Sequence, residues 1–149
     1  MGATYLLILS STMRQNPDPE ALPAIQRYEG LYPAILKSLQ NKGQFPKCDV
    51  IFVTGQGIVT ADEKIVRSDT RMTPALAASL RKKNLEALER LFAAKTYQEI
   101  YVNLGRSYLK SIEGFEKLTS SKITCATGVL GKKAVHMKKW GLDHSSQTS

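Results

Sequence analysis

Four polar clusters, each following an apolar run, hold the residues of this 149-residue chain that could do chemistry. The richest follows Val50-Ile51-Phe52-Val53. It reads Gly55-Gln56-Gly57-Ile58-Val59-Thr60-Ala61-Asp62-Glu63 and leads into Arg67-Ser68-Asp69-Thr70-Arg71-Met72-Thr73. A chain that leaves a buried strand through two glycines, then places two aspartates and two arginines before its next helix, is equipped to wall a site. A carboxylate beside an arginine stays ionised, which suits a substrate-orienting acceptor or a structural ion pair better than a general acid. Asp69 and Asp62 are the catalytic candidates, since glycosidic or base-transfer chemistry needs a placed carboxylate to stabilise an oxocarbenium-like charge or activate water.

The other clusters offer donors for an anion. Ser10-Ser11-Thr12 brings three hydroxyls and a bend with Arg14 a turn further on, a set that could grip an anion or serve as a solvated loop. Asn103, Gly105, Arg106 and Tyr108 follow a third apolar run. Gly128-Val129-Leu130-Gly131-Lys132 stands between a strand and a helix, where bare amides can receive a phosphate or the glycines can make a tight turn. In the binding reading, Arg14, Arg71 and Arg106 contact phosphate and Asp69 and Asn103 a sugar or base edge. Tyr108 stacks, and Gly55, Gly57, Gly105, Gly128, Gly131 and Lys132 supply backbone and charge.

Much is excluded. There is no G-x-x-x-x-G-K-[ST], no G-x-G-x-x-G and no nucleophile elbow. His136 sits among lysines and His144 in the tail, neither read as a base with an orienting partner. Cys48 and Cys125 are too few for a disulfide framework or a zinc site and are read as reduced packing residues of a cytoplasmic protein. Nothing calls for a cofactor or a metal. The net charge of +8 raises the local concentration of polyanions such as nucleotides or nucleic acid, although the lysines and arginines are dispersed except at Arg81-Lys82-Lys83, Lys132-Lys133 and Lys138-Lys139. Tyr5-Leu6-Leu7-Ile8-Leu9 is too short to span a membrane and lacks the flanks of a signal peptide. The oligomeric state has no signature.

The elements that must position these residues are strands over Thr4 to Ser10, Asp49 to Thr54, Glu99 to Asn103 and Lys122 to Thr127, with Ile65-Val66 as a small extra strand. Their continuous apolar cores fit a parallel sheet covered on both faces. Helices are expected within Pro19 to Asn41, broken near Tyr32, and over Ala75 to Lys95 behind the Thr73-Pro74 start signal. Ser107 to Leu118 and Gly131 to Gly141 complete the set, and Trp140 closes the core. The fold class is α/β: a three-layer Rossmann-like sandwich with a mainly parallel sheet of about four strands. One domain spans 1–142, and 143–149 form a flexible tail with nothing to bury.

At these same loops the chain resembles a known family. The matching pieces are Leu7-Ile8-Leu9-Ser10-Ser11-Thr12-Met13-Arg14, Ala24-Ile25-Gln26-Arg27-Tyr28-Glu29-Gly30, Gly55-Gln56-Gly57-Ile58-Val59 with Asp62, Asp69-Thr70-Arg71-Met72-Thr73, Asn103-Leu104-Gly105-Arg106-Ser107-Tyr108-Leu109 and the Gly128 to Lys132 loop. Together they are similar to the YaaA-like small α/β domains of unknown function, relatives of a domain attached to archaeosine synthases. Ser11 stands where those domains typically carry a cysteine, Gln56 where an aromatic is frequent and Ser68 where a tyrosine is common. The resemblance implies a Rossmann-like fold linked to nucleobase or nucleic-acid processing, without supplying a reaction. A non-catalytic interaction module, its arginines and aspartates paired internally, is the alternative to both binding and catalysis.

Overall fold

The computed structural model describes residues 5–145. Thr4 and the last four positions of the expected tail lie outside the described residues. The first strand, β1 (Tyr5–Ser10), is the centre of a five-stranded sheet. It pairs in parallel with β3 (Cys48–Thr54) on one side and β6 (Glu99–Asn103) on the other, and β7 (Lys122–Cys125) continues the parallel run beyond β6. The fifth strand is a correction to the expected four. β4 (Gly57–Thr60) pairs antiparallel with β3, so the segment expected as a loop is the return arm of a hairpin turning at Gly55-Gln56. Gly57 has φ 125°, a conformation that a side chain would resist, and the arm of four residues is too short to print an alternating pattern. Val66 is not part of the small extra strand. β2 (Leu22–Pro23) pairs instead with β5 (Lys64–Ile65) as a separate two-stranded ribbon.

Helices cover both faces of the sheet because the strands alternate their side chains between two apolar clusters. Leu7, Leu9, Phe52 and Tyr101 pack with α1 (Ala24–Arg27), α2 (Leu31–Asn41) and α5 (Leu130–Ser145). Leu6, Ile8, Ile51, Val53, Ile100 and Val102 pack with α3 (Pro74–Ala94), with Tyr108 of α4 (Arg106–Lys110) and with Phe115 of the 3-10 turn Phe115–Leu118. Leu6, Leu7, Ile8 and Leu9 are wholly buried, each stabilising the fold by about 1.5 to 3 kcal/mol relative to exposure. Helix α3 begins as its start signal implies: Thr73 Oγ1 accepts the Leu76 N–H at 3.1 Å, and Pro74 opens the first turn. The helix expected over Ser107 to Leu118 is interrupted, with Gly114 at φ 95° dividing α4 from the 3-10 turn. The expected break near Tyr32 falls at Tyr28–Gly30.

Helix α5 runs past Leu142 to Ser145, which corrects the expected start of the tail at Asp143. Glu99 explains the extension. Its nearly buried carboxylate accepts hydrogen bonds from Thr124 Oγ1 (2.6 Å), Trp140 Nε1 (2.9 Å) and His144 Nε2 (3.0 Å). His144 in turn stacks on Trp140, with ring centres 4.2 Å apart. Burial alone would raise the Glu99 pKa, but these three donors and the charge of His144 outweigh it and hold the carboxyl below its usual range.

A second buried polar group has no carboxylate partner among the described residues. Arg27 is wholly buried, and its guanidinium donates to the carbonyls of Asn16 (2.6 Å), Asp18 (2.9 Å), Ile65 (3.3 Å) and Glu20. Four backbone acceptors thus replace water around a permanent cation, tying the 16–20 segment to β5.

Two outcomes are expected in equilibrium unfolding. Arg27→Met leaves those carbonyls without their donor and lowers stability by about 3 kcal/mol in urea titration. For Glu99 the folded pKa is depressed, so its contribution is present above the unfolded carboxylate value and is lost as pH falls through the folded one. Glu99→Gln therefore flattens the acid limb of the stability curve; an unchanged acid limb shows the linkage to lie elsewhere.

Candidate functional site

The connection leaving β1 passes through α1 and α2 on one face, whereas that leaving β6 passes through α4 on the other. Adjacent strands whose loops diverge in this way open a crevice at their carboxyl ends. Two cavities lie along that edge. One, of about 280 Å³, is at the divergence itself, between Ser10, Asn103, Gly105 and Tyr108 on one side and Tyr32, Gly128, Val129 and Lys133 on the other. Its neighbour, of about 310 Å³, lies over the ends of β1 and β3. Ser11 belongs to one wall and Tyr108 to the other, their hydroxyls 3.4 Å apart.

The larger cavity is walled by three stretches of chain. Ser11, Thr12 and Gln15 come from the exit of β1, Thr54, Gly55 and Gln56 from the hairpin turn, and Lys64 to Val66 with Ser68 and Thr70 from the strap before α3. Gln15 fastens the strap as a peptide group would: its Nε2 donates to the Ser68 carbonyl (2.6 Å) and its Oε1 accepts the Ser68 N–H (3.1 Å). Thr54 Oγ1 and Lys83 Nζ fix the hairpin, donating to the carbonyls of Gly57 and Gln56, both at 2.8 Å. Tyr28 closes the back, packed on Phe52, its phenol hydroxyl making no hydrogen bond among the described residues. Burial pushes the Tyr28 pKa up to about 12, with Tyr108 adding to the rise and Arg27 opposing it, so the hydroxyl is neutral. Lys64 is the one charged side chain in this lining; the rest is hydroxyl, amide, backbone and aliphatic.

The sequence candidates divide accordingly. Ser11, Thr12 and Gly55 line the larger cavity, and Ser10, Asn103, Gly105, Tyr108 and Gly128 the smaller. Arg14, Asp69 and Arg71 are exposed and line neither. Gln15 forms a bridge with Tyr28 and faces inward, which turns its neighbour Arg14 outward. Arg106 lines a separate depression with Leu109, Lys110 and Glu113. Asp62 stands toward the opposite end of the sheet, in a recess with Cys48 and Asp49 at the start of β3, its Oδ1 accepting from Thr60 Oγ1 at 2.8 Å. Gly57 is strand backbone beneath Lys83. Gly131 and Lys132 lie in the first turn of α5 outside the cavity wall, and Lys132 packs over Gly128 so closely that a Cβ there would meet it at 2.6 Å.

Neither of the two cavities contains a carboxylate, so Asp62 and Asp69 have no catalytic placement in them. The internal ion pairs of the interaction-module reading are absent too: among the described residues, none joins Asp62 or Asp69 to an arginine. Both histidines have the partners not expected of them, with His136 Nδ1 2.7 Å from the Tyr101 hydroxyl, but they stand around Glu99 at the far edge. Cys48 packs against the core, its thiol pushed up to about 12 by burial and by Asp49, whereas Cys125 is exposed and so is no packing residue. Tyr28, Tyr32, Gln15, Thr54 and Lys64 are among the cavity residues not singled out as site candidates from sequence. Among the described residues no helix is long and apolar enough to cross a membrane, and no cluster of His, Cys, Asp or Glu could hold a metal.

Gly55 ties the hairpin to the strap: a Cβ on it would stand 2.7 Å from Thr70 Cγ2 and 2.9 Å from the Thr70 carbonyl oxygen. Gly55→Ala is expected to cost about 1 to 3 kcal/mol in chemical denaturation, because the neighbour that must yield includes backbone.

No family model and no curated protein matches this chain. Among solved structures it is similar to that described as "Crystal structure of AF0587, a protein of unknown function", with a TM-score of 0.57 and 11% sequence identity. The match covers 93% of this chain and 44% of the other, so the chain spans less than half the length of that protein and shares its fold with one part of it.

Proposed function

We propose that this chain binds a nucleoside-like ligand, a nucleotide or a modified nucleobase free or within a nucleic-acid segment, at the carboxyl edge of a three-layer, Rossmann-like sheet. The observation that carries the reading is the pair of cavities adjoining at Ser11 and Tyr108 over the ends of β1, β3 and β6. The larger one has the character of a base pocket. A cavity of about 310 Å³ falls at the lower end of the range for small-molecule sites, and its walls offer neutral donors and acceptors at several heights. Tyr28 supplies a hydroxyl and Gln56 a carboxamide Oε1 that make no hydrogen bond among the described residues, and Ser11 and Thr70 add further hydroxyls. A planar heterocycle edged with N–H and C=O groups satisfies such a lining, whereas an anion would find only Lys64 to balance it.

The resemblance of the loop segments to YaaA-like domains belongs to the same reading, as does a cytoplasmic setting. The glycosidic alternative has no such support, since its carboxylates stand outside both cavities. Phosphate contacts by Arg14, Arg71 and Arg106 are set aside for the same reason.

Isothermal titration with the common nucleosides and 7-substituted purines at low salt is expected to find at least one ligand of micromolar to low-millimolar affinity. Tyr28→Phe weakens it about tenfold, the cost of one neutral hydrogen bond, while leaving the urea midpoint unchanged. If no nucleoside binds, or if the binder is indifferent to Tyr28→Phe and to Gln56→Ala, the base-pocket reading is wrong.

A further inference from the structure

The hydroxyls around the two cavities are unevenly engaged. Thr12 Oγ1 donates to the Arg14 carbonyl at 2.6 Å, Thr54 Oγ1 to the Gly57 carbonyl at 2.8 Å and Ser68 Oγ to Thr70 Oγ1 at 3.1 Å, so each of these holds the chain together. A second group has no such duty. Ser11 Oγ and the Tyr108 hydroxyl meet only at 3.4 Å, well beyond the ~2.7 to 2.8 Å of a good hydroxyl pair. The Ser10 and Tyr28 hydroxyls make no hydrogen bond among the described residues. Tyr28 is 5% exposed and Ser10, Ser11 and Tyr108 are half-buried, which withholds much of the water that satisfies a surface hydroxyl. These groups sit together: Ser11 walls the larger cavity and Tyr108 and Ser10 the smaller, and the Tyr28 phenol is near enough to Tyr108 for that residue to help raise its pKa. The central pair is fixed before any ligand arrives. The Ser11 N–H donates to the Val53 carbonyl at 3.0 Å, prolonging the β1–β3 pairing, and Tyr108 is held on α4 against the core, its carbonyl accepting from Ser111 Oγ at 2.7 Å.

Two facing hydroxyls, each able to donate and to accept, suit a partner of the same kind, and a vicinal diol presents one hydroxyl to each of them. We infer that the passage between the cavities is a subsite for a vicinal diol, the 2′- and 3′-hydroxyls of a ribonucleoside whose base occupies the larger cavity. Ser11 and Tyr108 give up their long mutual contact, and each takes one sugar hydroxyl. Ser10 stands on the smaller-cavity side of the pair and Tyr28, assigned to the base, on the other. A deoxyribose leaves one of the two facing hydroxyls without its partner, so the passage selects for the intact diol. The identity of the diol rests on the base-pocket reading, but the subsite itself can be tested without it.

Two arms separate the two ideas. In the first, methyl β-ribofuranoside and its 2-deoxy counterpart are titrated into the full chain and amide shifts are followed by NMR. Shifts at Ser10 to Thr12 and at Gly105 to Tyr108 that saturate for the riboside at lower concentration than for the deoxyriboside are expected. An absence of saturable shifts there, or equal saturation by both sugars, overturns the subsite whatever the larger cavity binds. In the second arm the best-binding nucleoside is compared with its 2′-deoxy form, and the wild type is expected to prefer the ribonucleoside about tenfold, the worth of one hydrogen bond. Ser11→Ala and Tyr108→Phe, each removing one oxygen and checked for folding by their urea midpoints, reduce that preference to about twofold. A wild type indifferent to the 2′-hydroxyl, or a tenfold preference kept by both variants, overturns the proposal. Binding of the riboside with failure of every nucleoside removes the base pocket and keeps the subsite; equal binding of a nucleoside and its deoxy form keeps the base pocket and removes the subsite.

Discussion

The architecture of the site depends on one buried cation. Arg27 sits at the end of a four-residue helix, and its guanidinium organises carbonyls from two stretches far apart in sequence, 16–20 and Ile65. Neither stretch has enough apolar surface to fold down by itself. With Arg27 in place the first closes over α1, β5 pairs with β2, and the strap from Lys64 to Thr70 is held where it can wall a cavity. The residue that follows, Tyr28, is positioned by the same clamp: its N–H closes the α1 turn on Ala24 and its backbone bridges Gln15. A carboxylate partner would have brought its own desolvation cost; four carbonyls satisfy the fork with groups that had to lose water in any case.

Beneath this clamp the sheet imposes a division of labour between its two edges. At the amino edge the polar groups are fully engaged with one another: Glu99 with Thr124, Trp140 and His144, and Asp49 Oδ2 with Lys95 at 2.8 Å and Tyr97 at 2.6 Å. Those contacts fasten helices and loops to strands and leave little for a ligand. At the carboxyl edge the pattern inverts. Among the described residues the Tyr28 hydroxyl and Asn103 Oδ1 make no hydrogen bond, and Ser11 and Tyr108 share a long contact of 3.4 Å. Unfinished hydrogen bonding thus gathers along the edge where both cavities lie, although Asn84 Oδ1 on α3, away from both, is left without a partner as well.

The strands and the long helix were legible because their signals are local. Leu6 to Leu9 and Val50 to Val53 are uninterrupted apolar runs, and Thr73-Pro74 states a helix start in two residues. The positions of the hydroxyl and glycine candidates followed from the strand ends, so Ser10, Ser11, Gly55, Asn103 and Tyr108 came out at cavity walls. What sequence could not convey was direction and partnership. Arg14, Arg71 and Arg106 have the right type for phosphate but face elsewhere, since charge alone does not say which way a loop residue points. Arg27 was invisible because its partners are backbone carbonyls, which no residue pattern encodes. His144 was placed in a tail because its partner Glu99 lies 45 positions away. The hairpin was missed for a related reason: Gly57 to Thr60 is a strand only because β3 is beside it.

The two cavities also differ in what they can discriminate. In the larger one the buried Tyr28 hydroxyl stays neutral, the carboxamides and hydroxyls carry no charge, and Lys64 is exposed. A charged group entering there would exchange hydration for neutral dipoles, with the exposed Lys64 the one ion in the lining to offset the loss. In the smaller one the charged side chain is Lys133, half-buried, with its Nζ donating to the Leu104 carbonyl at 3.1 Å and no carboxylate in the lining. Because Ser11 and Tyr108 stand between the two with their hydroxyls 3.4 Å apart, the passage from one cavity to the other is narrow and polar.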